Sequence, residues 1–362
     1  MRHLFPLFIL LFLVSCSKDV KELKQVSPGL AWTSEFDYGN YISQDAQSIV
    51  NTADNGFVLI KNDTLRKFDG DGNYEFNTNL VVEKIIKTNS GFLIYDGQSS
   101  KIKALNNDFS VDWELPFTDE VHYLLATGDG YVMTHSISSN VGVIKLTLNG
   151  QVEWQKTFEN SSDRHLNSIQ LTTDGYIATG YVQVPIENKE NIWIVKLNNS
   201  GEIIWEKSHD NSEMSNATGV NIYQLDNGGF LALTLKNGSS ASDFYGTSSI
   251  MIFDNEGEIV SENQFNNSDF KAITRTNDGN FLAVGSADRS SFGFPYGYNS
   301  DRVIAAKINQ EGGRVWQLET SLIEYGNIGH AATQSTDNGY LIVADASTYD
   351  AYSMVFKINP EY

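Results

Sequence analysis

The chain has 362 residues with 45 acidic against 25 basic side chains, giving a formal net charge of −20, and it contains one cysteine, 29 glycines and 6 prolines. Such a surface repels polyanions and offers no basic stripe, which excludes nucleic acid as a partner. A single cysteine excludes a disulfide within the chain, so any fold must be held by its sheets and its apolar core.

At the N-terminus, Arg2 and His3 precede an apolar run from Leu4 to Val14 that is too short to cross a bilayer as a helix. Residues 1–15 therefore read as a signal peptide. The stretch Leu13-Val-Ser-Cys16 resembles the lipobox of bacterial lipoproteins. That resemblance implies that Cys16 becomes the new N-terminus and carries palmitate and other acyl chains, with residues 16–26 as a tether. Ser17 follows the cysteine where an Asp would mark retention at the inner membrane in enterobacterial sorting. The expected location is thus the cell envelope, on the outer membrane, with the periplasmic and surface faces both open.

From residue 27 to 362 the sequence is repetitive. Each unit has an apolar strand, an Asp-Gly or Asn-Gly turn, an aromatic residue and a second apolar strand, as in Asp174-Gly-Tyr-Ile-Ala-Thr-Gly180. A third strand and a hairpin follow, clearest at Lys196-Leu-Asn-Asn-Ser-Gly-Glu-Ile-Ile-Trp205, with copies from Lys145 to Trp154 and from Lys307 to Trp316. Looser copies run from Lys67 to Phe76, Lys103 to Trp113 and Ile252 to Ser261. The aromatic marker falls at Phe57, Phe92, Tyr131, Tyr176, Phe230, Phe281 and Tyr340. Seven units of about 48 residues, each of four strands A to D, predict an all-β, seven-bladed β-propeller with no separate second domain.

The ends of the chain complete the pattern. The last unit stops at Lys357-Ile-Asn-Pro-Glu-Tyr362, before its D strand, while Pro28-Gly-Leu-Ala-Trp-Thr-Ser-Glu-Phe36 is an orphan D strand ahead of the first full unit. The N-terminal strand is expected to pair in the last blade and close the ring, removing free edges at the seam. Trp32, Trp113, Trp154, Trp205 and Trp316 share one repeat position, which assigns them to packing at blade junctions; Trp193, in a C strand, also reads as core.

With A innermost, the A–B and C–D turns lie on one face, and the B–C and D–A connections on the other. The turns are short and uniform, so differences in unit length collect in the connections. The longest, from Ala287 to Arg302, sets Phe292, Phe294, Tyr296 and Tyr298 between Arg289 and Arg302, and the equivalent stretch one blade earlier carries Phe244 and Tyr245. Aromatics beside arginines suit a protein hot spot or stacking on a sugar ring; a loop that buries its own aromatics is the competing reading.

Other candidates are weaker. Asp69-Gly-Asp-Gly-Asn73 begins like a calcium loop but lacks the closing Glu, and a C–D turn accounts for it. His3, His122, His135, His165, His209 and His330 have no metal-ligand spacing, so neither a metal nor a cofactor is expected. No nucleophile elbow, P-loop or dinucleotide fingerprint occurs. A glycan hydrolase or lyase at the ring centre would need two paired carboxylates; the A strands offer few, with Asp45, Glu83, Glu120 and Asp269 near their starts and none with a partner evident in the sequence.

The Gly-x-x-x-Trp outer strand after a Lys-Leu-Asn turn resembles the repeats of quinoprotein-like propellers, including that of the outer-membrane β-barrel assembly machinery, and more closely the propeller lipoproteins of Bacteroidota. The resemblance implies a monomeric propeller held to a membrane by the lipid on Cys16. Quinoprotein dehydrogenases carry paired cysteines and a calcium-binding set that this chain lacks. A binding or scaffolding module for an envelope protein or glycan partner, rather than an enzyme, is the expectation. A glycan-active enzyme and a subunit of the assembly machinery are the alternatives.

Overall fold

The computed structural model describes residues 29–37, 48–137, 140–158, 164–184, 189–210, 216–237, 247–265, 268–287, 302–320, 327–347 and 351–360. Among these residues every element is a strand, and the twenty-eight strands form seven antiparallel blades of four. The blades span 49–81, 84–116, 120–158, 164–209, 216–265, 268–320 and 327–358, the last completed by Leu30–Asp37. One parallel bridge, Glu190 to Asn216, links the sheets of blades 4 and 5.

The expected seam is present. Leu30–Asp37 lies antiparallel to Ala351–Ile358, with Trp32 opposite Lys357 and Phe36 opposite Ser353. Trp32 thus occupies, in blade 7, the place that Trp205 takes opposite Lys196 in blade 4.

Apolar side chains collect into seven clusters, one in each junction between neighbouring blades. Stability is therefore spread over interfaces, and no blade can cover both of its faces alone. Each outer-strand Trp reaches across to the aromatic of the next blade: Trp32 to Phe57 at 6.2 Å between ring centroids, Trp113 to Tyr131 at 5.9 Å, Trp154 to Tyr176 at 5.7 Å, Trp205 to Phe230 at 5.9 Å and Trp316 to Tyr340 at 5.9 Å. For Trp32, Trp113, Trp154 and Trp205 the same ring also covers the C–D turn glycine of that blade. Gly201 has φ 77°, and a Cβ there would sit 2.4 Å from the Trp154 ring, so both backbone and space demand glycine.

The hairpin motif also hides an ion pair that sequence reading missed. The Lys of strand C, buried in four blades and half-buried at Lys357, reaches the Asp of its own blade's A–B turn: Lys67 to Asp54 at 3.0 Å, Lys145 to Asp129 at 2.7 Å, Lys196 to Asp174 at 2.6 Å, Lys307 to Asp278 at 3.0 Å, and Lys357 to Asp337. A Ser or Thr two residues earlier bonds the same carboxylate, as Thr172 does to Asp174 at 3.1 Å. Burial works to raise Asp54 and Asp278, but Thr52 with Lys67 and Thr276 with Lys307 outweigh it and hold both carboxyls at about 2.

Two blades break the pattern together. In blade 5 Ile252 replaces the Lys and Asn227 replaces the Asp, its side chain accepting from the Gly229 amide at 2.9 Å, while Asp226 beside it pairs with Arg275 at 2.6 Å. In blade 2 Trp113 pairs with Ala104, not with Lys103; the turn Thr88-Asn-Ser-Gly91 has no Asp, and Lys103 goes to Asp96 at 2.6 Å. The Lys103 to Trp113 copy is thus one residue out of register with the others.

Candidate functional site

The inner strands surround a central channel that holds a cavity of about 380 Å³. Its position follows from the ring, but its lining depends on irregularity. In blades 3 to 7 each A strand carries a register shift, which leaves His122, Asn167, Val220, Lys271 and His330 as extra residues opposite no partner. Bulges of this kind re-aim side chains beside functional sites. Blades 1 and 2 have no such shift in their A strands.

Polar groups converge on the cavity from Lys84, His122, Tyr123, Asn221, Tyr223 and Thr333. Several are anchored across blade boundaries. The Gln170 amide donates to the Tyr123 hydroxyl at 2.7 Å, the Tyr223 hydroxyl donates to the Ile273 carbonyl at 2.9 Å, and the Asn51 amide donates to Thr333 Oγ1 at 3.3 Å. Burial pushes the Tyr123 phenol up and the Tyr223 phenol well above its ordinary range, so both stay protonated donors.

At the end where the A strands begin, on the face of the B–C and D–A connections, blades 2 to 4 form a polar mouth. His122 Nε2 and Ser136 Oγ share a hydrogen bond of 2.6 Å, the His122 and His165 rings lie 4.0 Å apart, and Tyr181 stacks on His165 at 5.5 Å. Burial, helped by the charges of His165 and Lys84, lowers His122 to about 3, and burial lowers His165 as well, so both imidazoles are neutral near pH 7. Glu83 is raised by burial and by Asp63, against the pull of Lys84, with Asp96 and Glu120 adding to the rise. Burial lowers Lys84, with Glu83 and Glu120 opposing.

The two histidines come from strands far apart in sequence, which is why spacing gave no sign of them. Among the described residues no group of three or more His, Cys, Asp or Glu has the arrangement of a metal site. The Asp69 carboxylate is spent on its own turn, accepting from the Asp71 and Asn73 amides at 3.0 and 2.8 Å. Asp269 faces Lys271 at 2.7 Å. Of the aromatic-loop candidates, only Arg302 falls within the described residues; it is exposed and pairs with Glu319 of its own blade at 3.2 Å. Phe244, Tyr245, Arg289, Phe292, Phe294, Tyr296 and Tyr298 lie outside the described residues, as do Cys16 and Asp45.

The opposite face has a different character. Every exposed large hydrophobic residue among those described sits at its A–B or C–D end, including Leu30, Tyr74, Val111, Val152, Ile203 and Ile259. Side chains stitch neighbouring blades there: Gln224 accepts from the Thr173 amide at 2.8 Å, Arg275 donates to the Gln224 carbonyl at 2.8 Å, and Gln334 accepts from the Asn277 amide at 2.6 Å.

No protein-family model and no curated protein sequence matches the chain. Solved structures do resemble it. A chain of the mitotic checkpoint complex aligns with TM-score 0.58 and 12% identity over 99% of this chain and 100% of its own. BBS1N in complex with ARL6DN gives 0.56 and 12% over 90% and 97%, and the Nup133 β-propeller domain of Vanderwaltozyma polyspora gives 0.50 and 11% over 90% and 97%. BamB from Moraxella catarrhalis is similar at a TM-score of 0.45 and 11% identity over 87% and 84%. At such identities the likeness is one of fold, the β-propeller.

Proposed function

We propose that this chain is an envelope lipoprotein whose β-propeller, residues 27–362, binds or scaffolds a protein or glycan partner on its loop face. Residues 1–15 act as the signal peptide, and Cys16 with the tether to residue 26 holds the propeller to the outer membrane. The observation that carries this reading is the asymmetry of the ring. One face is built from short turns cross-linked blade to blade, while the other gathers the longer connections around the channel mouth. Leu30 stands at the C–D end of the outer strand of blade 7, on the turn face, so attachment through residues 16–26 would leave the loop face free for a partner. By their place in the sequence, Arg289, Phe292, Phe294, Tyr296, Tyr298 and Arg302, with Phe244 and Tyr245, belong to B–C connections and are the residues proposed to meet the partner.

The test is capture from detergent-solubilised envelopes by the full chain, set beside a variant with Phe292, Phe294, Tyr296 and Tyr298 changed to Ser. A stoichiometric protein partner or a glycan retained by the unaltered chain and lost by the variant supports the reading. Equal capture by both rejects it. Recruitment of a β-barrel protein, as an assembly-machinery subunit would perform it, is a narrower form of the same proposal and would show as a β-barrel in the captured fraction.

The raised Glu83, with Glu120 beside it at the channel mouth, favours one alternative, a glycan hydrolase or lyase using Glu83 as proton donor. Saccharide turnover abolished by Glu83→Gln with the fold intact would replace the scaffold reading.

A further inference from the structure

The channel has a charge character opposite to that of the molecule. In a chain with 45 acidic and 25 basic residues, no Asp or Glu among the described residues lines the cavity, whereas Lys84, Lys87 and His122 do. Lys87 is already engaged, donating to Asn107 at 3.0 Å with its ammonium 4.5 Å from the Phe92 ring centroid. Lys84 is not. It makes no hydrogen bond or ion pair with any described residue, and its carboxylate neighbours Glu83 and Glu120 act on it only at longer range. The five strand-C lysines of the hairpin motif, by contrast, each end on a carboxylate. A half-buried ammonium at a cavity, without an ion-pair partner of its own, is a ready seat for an anionic ligand.

We propose that the channel is a receptor for a small organic monocarboxylate, with its carboxylate seated on the Lys84 ammonium and its body in the cavity between Tyr123, Asn221 and Tyr223. The cavity size suits a single sugar acid or aryl acid and excludes a polymer. Protonated phenols and an amide give the body neutral hydrogen-bond partners, and the aliphatic wall from Ile86, Leu124 and Ile273 gives it apolar contact. One ammonium with no arginine beside it matches one negative charge. A phosphate dianion would meet the same one available ammonium, since that of Lys87 is held by Asn107 and over Phe92, with Glu83 and Glu120 acting against it, and is disfavoured. Neutral His122 adds no second charge. This site goes beyond the partner-binding reading and does not depend on what the loop face captures or on whether Cys16 is acylated.

The experiment uses the full chain in a neutral detergent, with calorimetric titration of benzoate and of glucuronate beside benzamide and glucose, which keep the body and lose the charge, and beside inorganic phosphate. Binding of at least one carboxylate at least tenfold tighter than its neutral counterpart and than phosphate is expected. Lys84→Met should weaken it tenfold or more, and Lys84→Arg should retain it within a few-fold. Equal binding of the neutral counterpart, preference for phosphate, carboxylate binding unchanged by Lys84→Met, or no binding of either carboxylate would overturn the assignment. Should Lys84→Met fail to fold, the comparison of charged and neutral probes on the unaltered chain decides alone.

Discussion

The buried Lys196 and its carboxylate allow a sharp test of how the blades are held. The ammonium is nearly enclosed, with 5% of its side chain exposed, and donates to Asp174 at 2.6 Å, to Thr172 at 3.0 Å and to the Leu197 carbonyl at 3.5 Å, whereas the Asp174 side chain is 63% exposed. A surface pair contributes at most about 1 kcal/mol, while breaking a fully buried one costs about 3–5 kcal/mol. This pair lies between the two. Asp174→Ala strands the cation inside and should cost about 2 kcal/mol. Lys196→Met keeps the apolar stem and returns Asp174 to water, so it should cost less than about 1 kcal/mol, as the Ile252 already present in blade 5 suggests. The double variant should be no worse than Lys196→Met alone. Urea unfolding followed by Trp fluorescence and by circular dichroism, with the two transitions coincident, supplies the cycle. A Lys196→Met variant less stable than Asp174→Ala would show that the lysine works through its charge, and the reasoning would fail.

Further outcomes follow from the seam, the turns and the channel mouth. Deleting residues 27–36 strips the partner from Ala351–Ile358 and should lower the melting temperature of the whole domain; an unchanged transition would reject closure by this strand. Gly201→Ala combines a left-handed backbone with a Cβ driven into the Trp154 ring and should cost more than about 2 kcal/mol in the same urea assay, against little change for Gly128→Ala, where a Cβ meets nothing within 4 Å. His122 has a folded pKa of about 3, below its unfolded value, so its contribution is complete above pH 6.5 and is lost as acid protonates the unfolded chain. Between pH 7 and pH 5 that loss is at most about 2 kcal/mol, and His122→Gln should therefore show a flatter stability profile over that interval. A profile as steep as that of the unaltered chain would contradict it.

Much of the architecture was legible because it is local and repeated. The seven aromatic markers, the Gly at the C–D turn and the orphan Trp32 strand each announce a position, and the observed pairings of Trp32 with Lys357 and Trp205 with Lys196 match that reading. The lysine–aspartate pairs were within reach of the sequence too. Blade 2 and blade 5 lose the Lys from its place and also lack the Asp at its turn position, where blade 5 carries Asn227, a covariation between repeats of one chain. The blade 2 slip was equally readable, since Lys103 stands one residue farther from its Trp than Lys196 does. The channel was not. Its lining depends on where five inner strands bulge, and apolar alternation does not record a bulge. His122 and His165 meet only because neighbouring A strands converge on one axis.

Repetition also separates scaffold from site. A side chain that recurs at one position in most blades, such as the Trp of strand D or the Lys of strand C, answers a demand made by every junction and says nothing of a ligand. The inner strands depart from this rule. At the position of Lys84 in blade 2, the register places Tyr123, Ser168, Asn221, Ala272 and Ala331 in blades 3 to 7. No common packing task unites those residues, because a ring built of Ala272 and Ala331 on one side needs neither an unpaired ammonium nor a buried phenol on the other. Stability alone would favour small or apolar residues all round. Retention of Lys84, Tyr123 and Asn221 against that preference is the physical reason for placing ligand recognition in the channel, beneath whatever the loops above it engage.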